Sequence, residues 1–294
     1  MSLIPFDDRD GHIWLDGKLV PWREATTHVL THGLHYGSCV FEGQRVYGRK
    51  VFKLEQHTSR LFDSARLMGF EIPFSEAQIN DACRQVVEAQ GAEDAYMRPV
   101  AWRGSEQMAV SAQKAKIHVA IAVWPWPSMF DPEIKKRGIR LDISRWRRPA
   151  PDTTPWKAKA AGLYMICTLS KHEAEQKGYA DAMMYDWRGL VAEATGANMF
   201  VVKDNKLFTP HADCFLNGIT RQTVIQLAKA RQIEVVEKYI EHADMSTFTE
   251  CFLTGSAAEV TPVGEIGPWK FEVGNITRTL MEDYSNYVRG KHTI

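Results

Sequence analysis

At 294 residues the chain has room for two domains with separate cores, and its 45% apolar and 24% charged residues place it among ordinary folded proteins and exclude a disordered chain. Lysine plus arginine and aspartate plus glutamate balance at 36 each, which leaves no net field to recruit nucleic acid or an acidic membrane surface. The five cysteines are scattered, with no CxxC pair, so buried thiols in a reducing compartment are expected, with no disulfide framework and no metal site.

The first residues, Met1-Ser2-Leu3-Ile4-Pro5-Phe6-Asp7-Asp8, carry acids where a signal peptide carries bases, and no apolar run approaches bilayer-spanning length. A cytoplasmic protein without a membrane partner is expected. Ile13 to Val20 place Asp16-Gly17 between two apolar stretches, a hairpin signal because a type I′ turn needs positive φ at both central residues. A second hairpin is expected at Gly48-Arg49, and between the two lies a glycine-punctuated run, Thr31 to Gly43. Leu54, Thr58, Leu61, Phe62, Ala65 and Met68 recur at helical spacing up to Gly69, and Ser75 caps a second helix that ends at Gly91. Strands are expected over Ala95–Trp102, Lys116–Trp124 and Ile139–Ser144. A domain boundary is expected among the prolines and tryptophans near 125 to 138: a smaller N-terminal α/β domain over 1–130, a linker over 131–138 and a C-terminal domain over 139–294. Beyond Gly162 a helix runs to Lys177. Hairpins follow around Arg188-Gly189 and Asp204-Asn205, then a helix over Thr220–Arg231, a strand over Cys251–Thr254 and a closing helix over Asn275–Val288.

Chemistry concentrates in a few segments. In Pro155 to Tyr164, Lys157 and Lys159 sit among alanines and a glycine, and an amine deprived of solvent by such neighbours attacks carbonyls more readily. Two surface lysines beside a loop explain the same ten residues. Glu193 lies among small residues in Val191 to Phe200. Leu216-Asn217-Gly218-Ile219-Thr220-Arg221 leads into a helix, where free N–H groups and the positive end of the helix dipole would face an anion, although an ordinary N-cap explains Thr220 by itself. Arg60 falls on what periodicity alone makes a solvated helix face. Aromatic residues cluster in Tyr36 to Gly43 and Tyr96-Met97-Arg98-Pro99.

Lys159-Ala160-Ala161-Gly162-Leu163-Tyr164 resembles the cofactor-lysine segment of the fold-type IV pyridoxal-phosphate enzymes, the branched-chain amino-acid aminotransferases in particular, and five further segments resemble that family in the same order. The resemblance covers roughly residues 10 to 290. It implies two α/β domains with pyridoxal 5'-phosphate between them, bound covalently by Lys159. Glu193 would face the pyridine nitrogen, Tyr164 the phenolate oxygen, and Arg60, Ile219, Thr220 and Ser256 the phosphate. It further implies a side-chain pocket walled by Tyr36, Phe41, Tyr96, Val110 and Trp126, some from a second subunit of a homodimer or larger homo-oligomer, with Ser256 and Ala257 presenting N–H groups to the α-carboxylate. Arg98, helped by the Tyr96 hydroxyl, is the candidate for the side-chain carboxylate of glutamate. The implied reaction is transamination between leucine, isoleucine or valine and 2-oxoglutarate. A D-amino-acid or amine transaminase or an aminodeoxychorismate lyase would share the lysine and phosphate sites. A nucleotide-binding oxidoreductase is disfavoured because no GxGxxG follows a strand. Gln44, Trp156-Lys157 and Met129 depart from the usual pattern and bear on substrate range.

Overall fold

A computed structural model describes residues 4–126 and 132–291. Contacts divide the chain into two units, Met1–Pro127 with Lys157–Gly162, and Ser128–Trp156 with Leu163–Ile294.

The first unit holds an antiparallel sheet of β1 (His12–Leu15), β2 (Lys18–Pro21), β3 (Cys39–Phe41), β4 (Gln44–Tyr47), β5 (Lys50–Val51), β6 (Ala95–Arg103) and β7 (Ile117–Pro125). Their order is β2-β1-β7-β6-β4-β5, with β3 also paired to β6. The two tight turns form as expected: Asp16-Gly17 and Gly48-Arg49 all take positive φ, which suits the right-handed twist of the strands they join. The glycine-punctuated run hides a short helix that no sequence signal announces, α1 (His32–Tyr36), which Gly37 ends in the left-handed conformation. Helices α2 (Leu54–Leu67) and α3 (Glu76–Gln90) pack on each other, α3 also on β7 and β1, and α2 on β3. Ser75 caps α3 through Gln78 in a reciprocal capping box. Because side chains alternate across a strand, the pairings Phe41↔Val100, Arg45↔Tyr96 and Arg98↔Ala122 put Phe41, Tyr96 and Arg98 on one face, and fully buried Met97 on the other.

In the second unit the strands are β8 (Ile139–Ile143), β9 (Asp181–Tyr185), β10 (Val191–Ala194), β11 (Asn198–Lys203), β12 (Lys206–Pro210), β13 (Val235–Lys238), β14 (Glu250–Gly255), β15 (Glu259–Ile266) and β16 (Trp269–Lys270). The path β10-β9-β8-β15-β14-β11 returns to its start because β10 also pairs with β11, so six strands close on themselves; β12 and β13 extend the sheet beyond β11. Closure leaves those strands no open edge and encloses one apolar core, to which Leu141, Met183, Val191, Met199, Leu253 and Val263 each contribute from a different strand. Each such fully buried side chain stabilises the fold by about 1.5–3 kcal/mol. The helices are α4 (Pro132–Arg137), α5 (Met165–Gln176), α6 (Ile219–Ala230) and α7 (Asn275–Val288); α6 packs on β14 and α7, and α7 on β15. Among the described residues no helix is long and apolar enough to cross a membrane. Met129 lies outside the described residues.

Candidate active site

Lys159 and Lys157, alike in sequence, are separated by burial. Lys159 is half-buried between Ala158 and Ala160, each 1% exposed, whereas Lys157 is exposed. The backbone around Lys159 is tied down on both sides: its N–H donates to Ser64 Oγ at 2.9 Å, its carbonyl accepts from Phe41 N–H at 3.1 Å, and Ala160 bridges to Val40. Its Nζ stands 5.0 Å from the centre of the Phe41 ring. A backbone held in this way gives the lysine side chain a fixed starting position.

Arg60 is not the solvated residue that helical periodicity suggests. Its Nε and Nη2 donate to Glu42 Oε1 and Oε2 at 2.6 and 2.8 Å, and His57 Nδ1 donates to the same carboxylate at 2.7 Å. Burial drives the Glu42 carboxyl up, but the Arg60 and His57 charges and hydrogen bonds outweigh it and hold the group well below the usual carboxylate range. Burial also pushes the His57 pKa down, against the pull of Glu42, so the imidazole is neutral at pH 7 and Nδ1 carries the proton. Glu42 and His57 escape a sequence reading because nothing in the chain announces partners fifteen and eighteen residues apart.

On the same sheet face, the Arg98 guanidinium lies 4.6 Å from the centre of Phe41 and 5.4 Å from that of Tyr96, and its Nη2 donates to the Tyr96 hydroxyl at 3.3 Å. Tyr96 in turn packs against Trp126 and Trp124, at 5.5 and 5.3 Å between ring centres. Gly43 is required here, since a Cβ would come within 1.9 Å of the Tyr96 hydroxyl. The structure therefore brings Phe41, Tyr96, Arg98 and Trp126 together. Of the other expected pocket residues, Val110 is 84% and Tyr36 47% exposed in this chain, the latter stacked on His32.

In the second unit Glu193 on β10 lies directly across from Asn198 on β11 and is buried. Arg148 Nε is 3.3 Å from Glu193 Oε1, and Asn198 Nδ2 donates to Oε2 at 3.1 Å. Arg148 also donates to Cys167 Sγ at 3.2 Å, and Tyr164 ends a short 3₁₀ turn over Ala161–Tyr164. Gly218 is the N-cap of α6 and brings no side chain to the first turn, which begins with buried Ile219 and Thr220. Ser256 and Ala257 form the turn between β14 and β15, next to the β10–β11 turn: Gly255 approaches the carbonyl of Gly196 so closely that a Cβ would sit 3.4 Å from it. Arg148 and Asn198 go unmarked in the sequence, since a buried polar partner leaves no periodic trace. Asp186, Asp213 and Cys214 also converge within 4.8 Å, but both carboxylates are already paired with Arg188.

Each unit by itself carries groups that suit pyridoxal phosphate: the first a sequestered amine, the second a buried carboxylate flanked by a cation and a helix start whose first N–H groups no side chain caps. Comparisons with known proteins agree. The family model described as amino-transferase class IV matches residues 39–266. The chain is 44% identical over 291 residues to the branched-chain-amino-acid aminotransferase of Pseudomonas aeruginosa, covering 97% of this chain and 95% of that one. It is 39% identical over 261 residues to the enzyme of the same name from Escherichia coli K12, covering 87% and 84%. Among solved structures, the branched-chain amino acid aminotransferase of Escherichia coli superposes with a TM-score of 0.92 at 35% identity, covering 97% of this chain and 97% of that one. A second solved branched-chain amino acid aminotransferase, bound to pyridoxamine 5'-phosphate, gives a TM-score of 0.94 at 36% identity, covering 97% and 96%. That same enzyme complexed with N-(5'-phosphopyridoxyl)-L-glutamate gives 0.92, with the same identity and coverage.

Proposed function

The chain belongs to the class IV aminotransferase family, and from that membership we propose that it transfers amino groups between L-leucine, L-isoleucine or L-valine and 2-oxoglutarate. It is a pyridoxal 5'-phosphate enzyme, and the cofactor, when bound, supplies a protonated ring that accepts the electrons released at the substrate Cα. The observation that carries the reading is the state of Lys159, sequestered between two buried alanines with its backbone held at both ends.

The protein's own groups divide the work. Lys159 Nζ would hold the cofactor and, as a free amine, would take the proton from the substrate Cα as base and deliver it as acid to the carbon that carried the cofactor's aldehyde. Glu193 keeps the ring nitrogen protonated, with Arg148 and Asn198 fixing its carboxylate. Tyr164 donates to the phenolate oxygen. Ile219, Thr220 and Ser256 offer N–H and hydroxyl donors to the phosphate, and Arg60 offers charge. Phe41, Tyr96 and Trp126 wall the side-chain pocket, Ala257 presents its N–H to the α-carboxylate, and Arg98 receives the distal carboxylate of glutamate. The exposure of Tyr36 and Val110 supports a homodimer in which a second copy covers them. A cytoplasmic enzyme fits this metabolism.

A panel of L-amino acids, D-amino acids and simple amines, each with 2-oxo acid acceptors, tests the substrate assignment. Highest turnover with the branched-chain L-amino acids and 2-oxoglutarate is expected. Preference for a D-amino acid or an amine would assign the chain to another activity of the same family.

A further inference from the structure

Asn198 is the first residue of β11, 5% exposed, and its side-chain amide is shared between two parts of the second unit. Nδ2 donates to Glu193 Oε2 at 3.1 Å and to the Leu216 carbonyl at 2.9 Å, while Oδ1 accepts from Gly218 N–H at 3.1 Å. The orientation of the amide is dictated by its partners, since Gly218 N–H can only donate, and a carboxylate and a carbonyl can only accept. Both N–H groups and the oxygen are in use, so no other side chain of this length reproduces the set. Aspartate would turn an oxygen toward Glu193 and Leu216, and alanine would leave Gly218 N–H and the Leu216 carbonyl without this partner. Gly218 is fitted to the same amide: a Cβ there would fall 2.3 Å from Asn198 Oδ1, although the φ of −58° and ψ of 142° at Gly218 are open to any residue.

We propose that Asn198 is a positioning residue that holds the ring-nitrogen acid Glu193 and the turn Leu216–Gly218, from which the phosphate-facing N–H groups of Ile219 and Thr220 emerge, in one fixed relation. The proposal rests on the cofactor reading of Glu193 and of the α6 start given above, and adds that the two are coupled through one amide. Displacing the turn therefore disturbs the acid, and the disturbance travels through Asn198.

A cycle of wild type, Asn198→Ala, Gly218→Ala and the double variant tests this with two readouts other than turnover. The first is calorimetric binding of inorganic phosphate to the apoprotein. The second is the pH at which the visible absorbance of the cofactor-loaded protein changes. Each single variant is expected to weaken phosphate binding about tenfold, the scale of one lost hydrogen bond, and to move the pH midpoint by about half a unit or more. The double variant is expected to be no worse than Asn198→Ala, because with Oδ1 gone the added methyl has room. Circular dichroism monitors folding, and if Asn198→Ala does not fold, Asn198→Ser, which likewise removes Oδ1 and is too short to bridge Glu193 and Gly218, takes its place with the same expectation for both readouts. A Gly218→Ala protein with weakened phosphate binding and an unmoved pH midpoint, or additive effects in the double variant, overturns the coupling. Wild-type apoprotein that binds neither inorganic phosphate nor pyridoxal phosphate would instead remove the cofactor reading itself, a failure visible before any variant is made.

Discussion

Removing the Arg98 guanidinium should separate the two half-reactions. Among the described residues Arg98 makes no ion pair; its charge rests on the faces of Phe41 and Tyr96, and its Nε is buried without a hydrogen-bond partner. A cation held among aromatic rings and not neutralised by the fold is available to a substrate carboxylate, and a glutamate side chain in that pocket without it would be desolvated and unpaired. Truncating one member of a buried charge pair costs about 2–4 kcal/mol, or roughly 30- to 800-fold. Leucine forms no such pair and loses only the packing that the cation provides by lying over Phe41, about 0.5–1 kcal/mol. Arg98→Ala is therefore expected to slow the glutamate and 2-oxoglutarate half-reaction about 1–3 kcal/mol more than the leucine half-reaction. Stopped-flow single turnovers, with each amino acid mixed separately against the cofactor-loaded enzyme, measure both. Equal losses would refute the reasoning and make Arg98 a support of the sheet face or of the shared α-carboxylate.

Four more outcomes follow from the structure. Glu193→Gln is expected to retain the cofactor but lose about a hundredfold to ten-thousandfold in turnover, since an amide cannot hold the ring nitrogen protonated by charge; near wild-type rates would mean that another acid serves it. Glu42→Gln deprives Arg60 of its fully buried bidentate carboxylate and is expected to destabilise the fold by about 3–5 kcal/mol in denaturant titrations. The wild-type pH dependence has a definite sign: His57 and Glu42 both bind protons less readily folded than unfolded, so their stability is present above the unfolded values and drains as pH falls, first below about 6.5 and then below about 4.3. Melting temperatures that rise on acidification through that window would contradict it. The Cys39 and Cys167 thiols are pushed up to about 11 by burial, and Cys83 and Cys214 to about 12, so a thiol reagent at pH 8 is expected to label the cysteines only after unfolding.

Local structure was legible in the sequence wherever backbone chemistry decides it. Asp16-Gly17, Gly48-Arg49 and Asp204-Asn205 are turns because those residues accept positive φ, and α2, α3, α6 and α7 end within a residue or two of where periodicity and caps place them. The closure of β10 onto β11 was not legible, because it depends on which distant strands flank them. Of the proposed site, the resemblance singles out Lys159, Glu193 and the α6 start as candidates, but the residues that hold them, Ser64, Arg148 and Asn198, are single polar side chains whose meaning appears only when a partner is buried beside them. Arg60 shows the limit of periodicity most clearly: one position on an amphipathic helix reads as solvated until Glu42 arrives from elsewhere in the chain.

The central claim is that Lys159, and not its neighbour two residues earlier, carries the cofactor. Borohydride reduction of the yellow holoenzyme, followed by proteolysis and peptide mapping by mass spectrometry, tests it directly. A pyridoxyl adduct on Lys159 is expected, with Lys157 unmodified and Lys157→Ala giving the same map. An adduct on Lys157, or none on the segment from 155 to 164, would contradict the account.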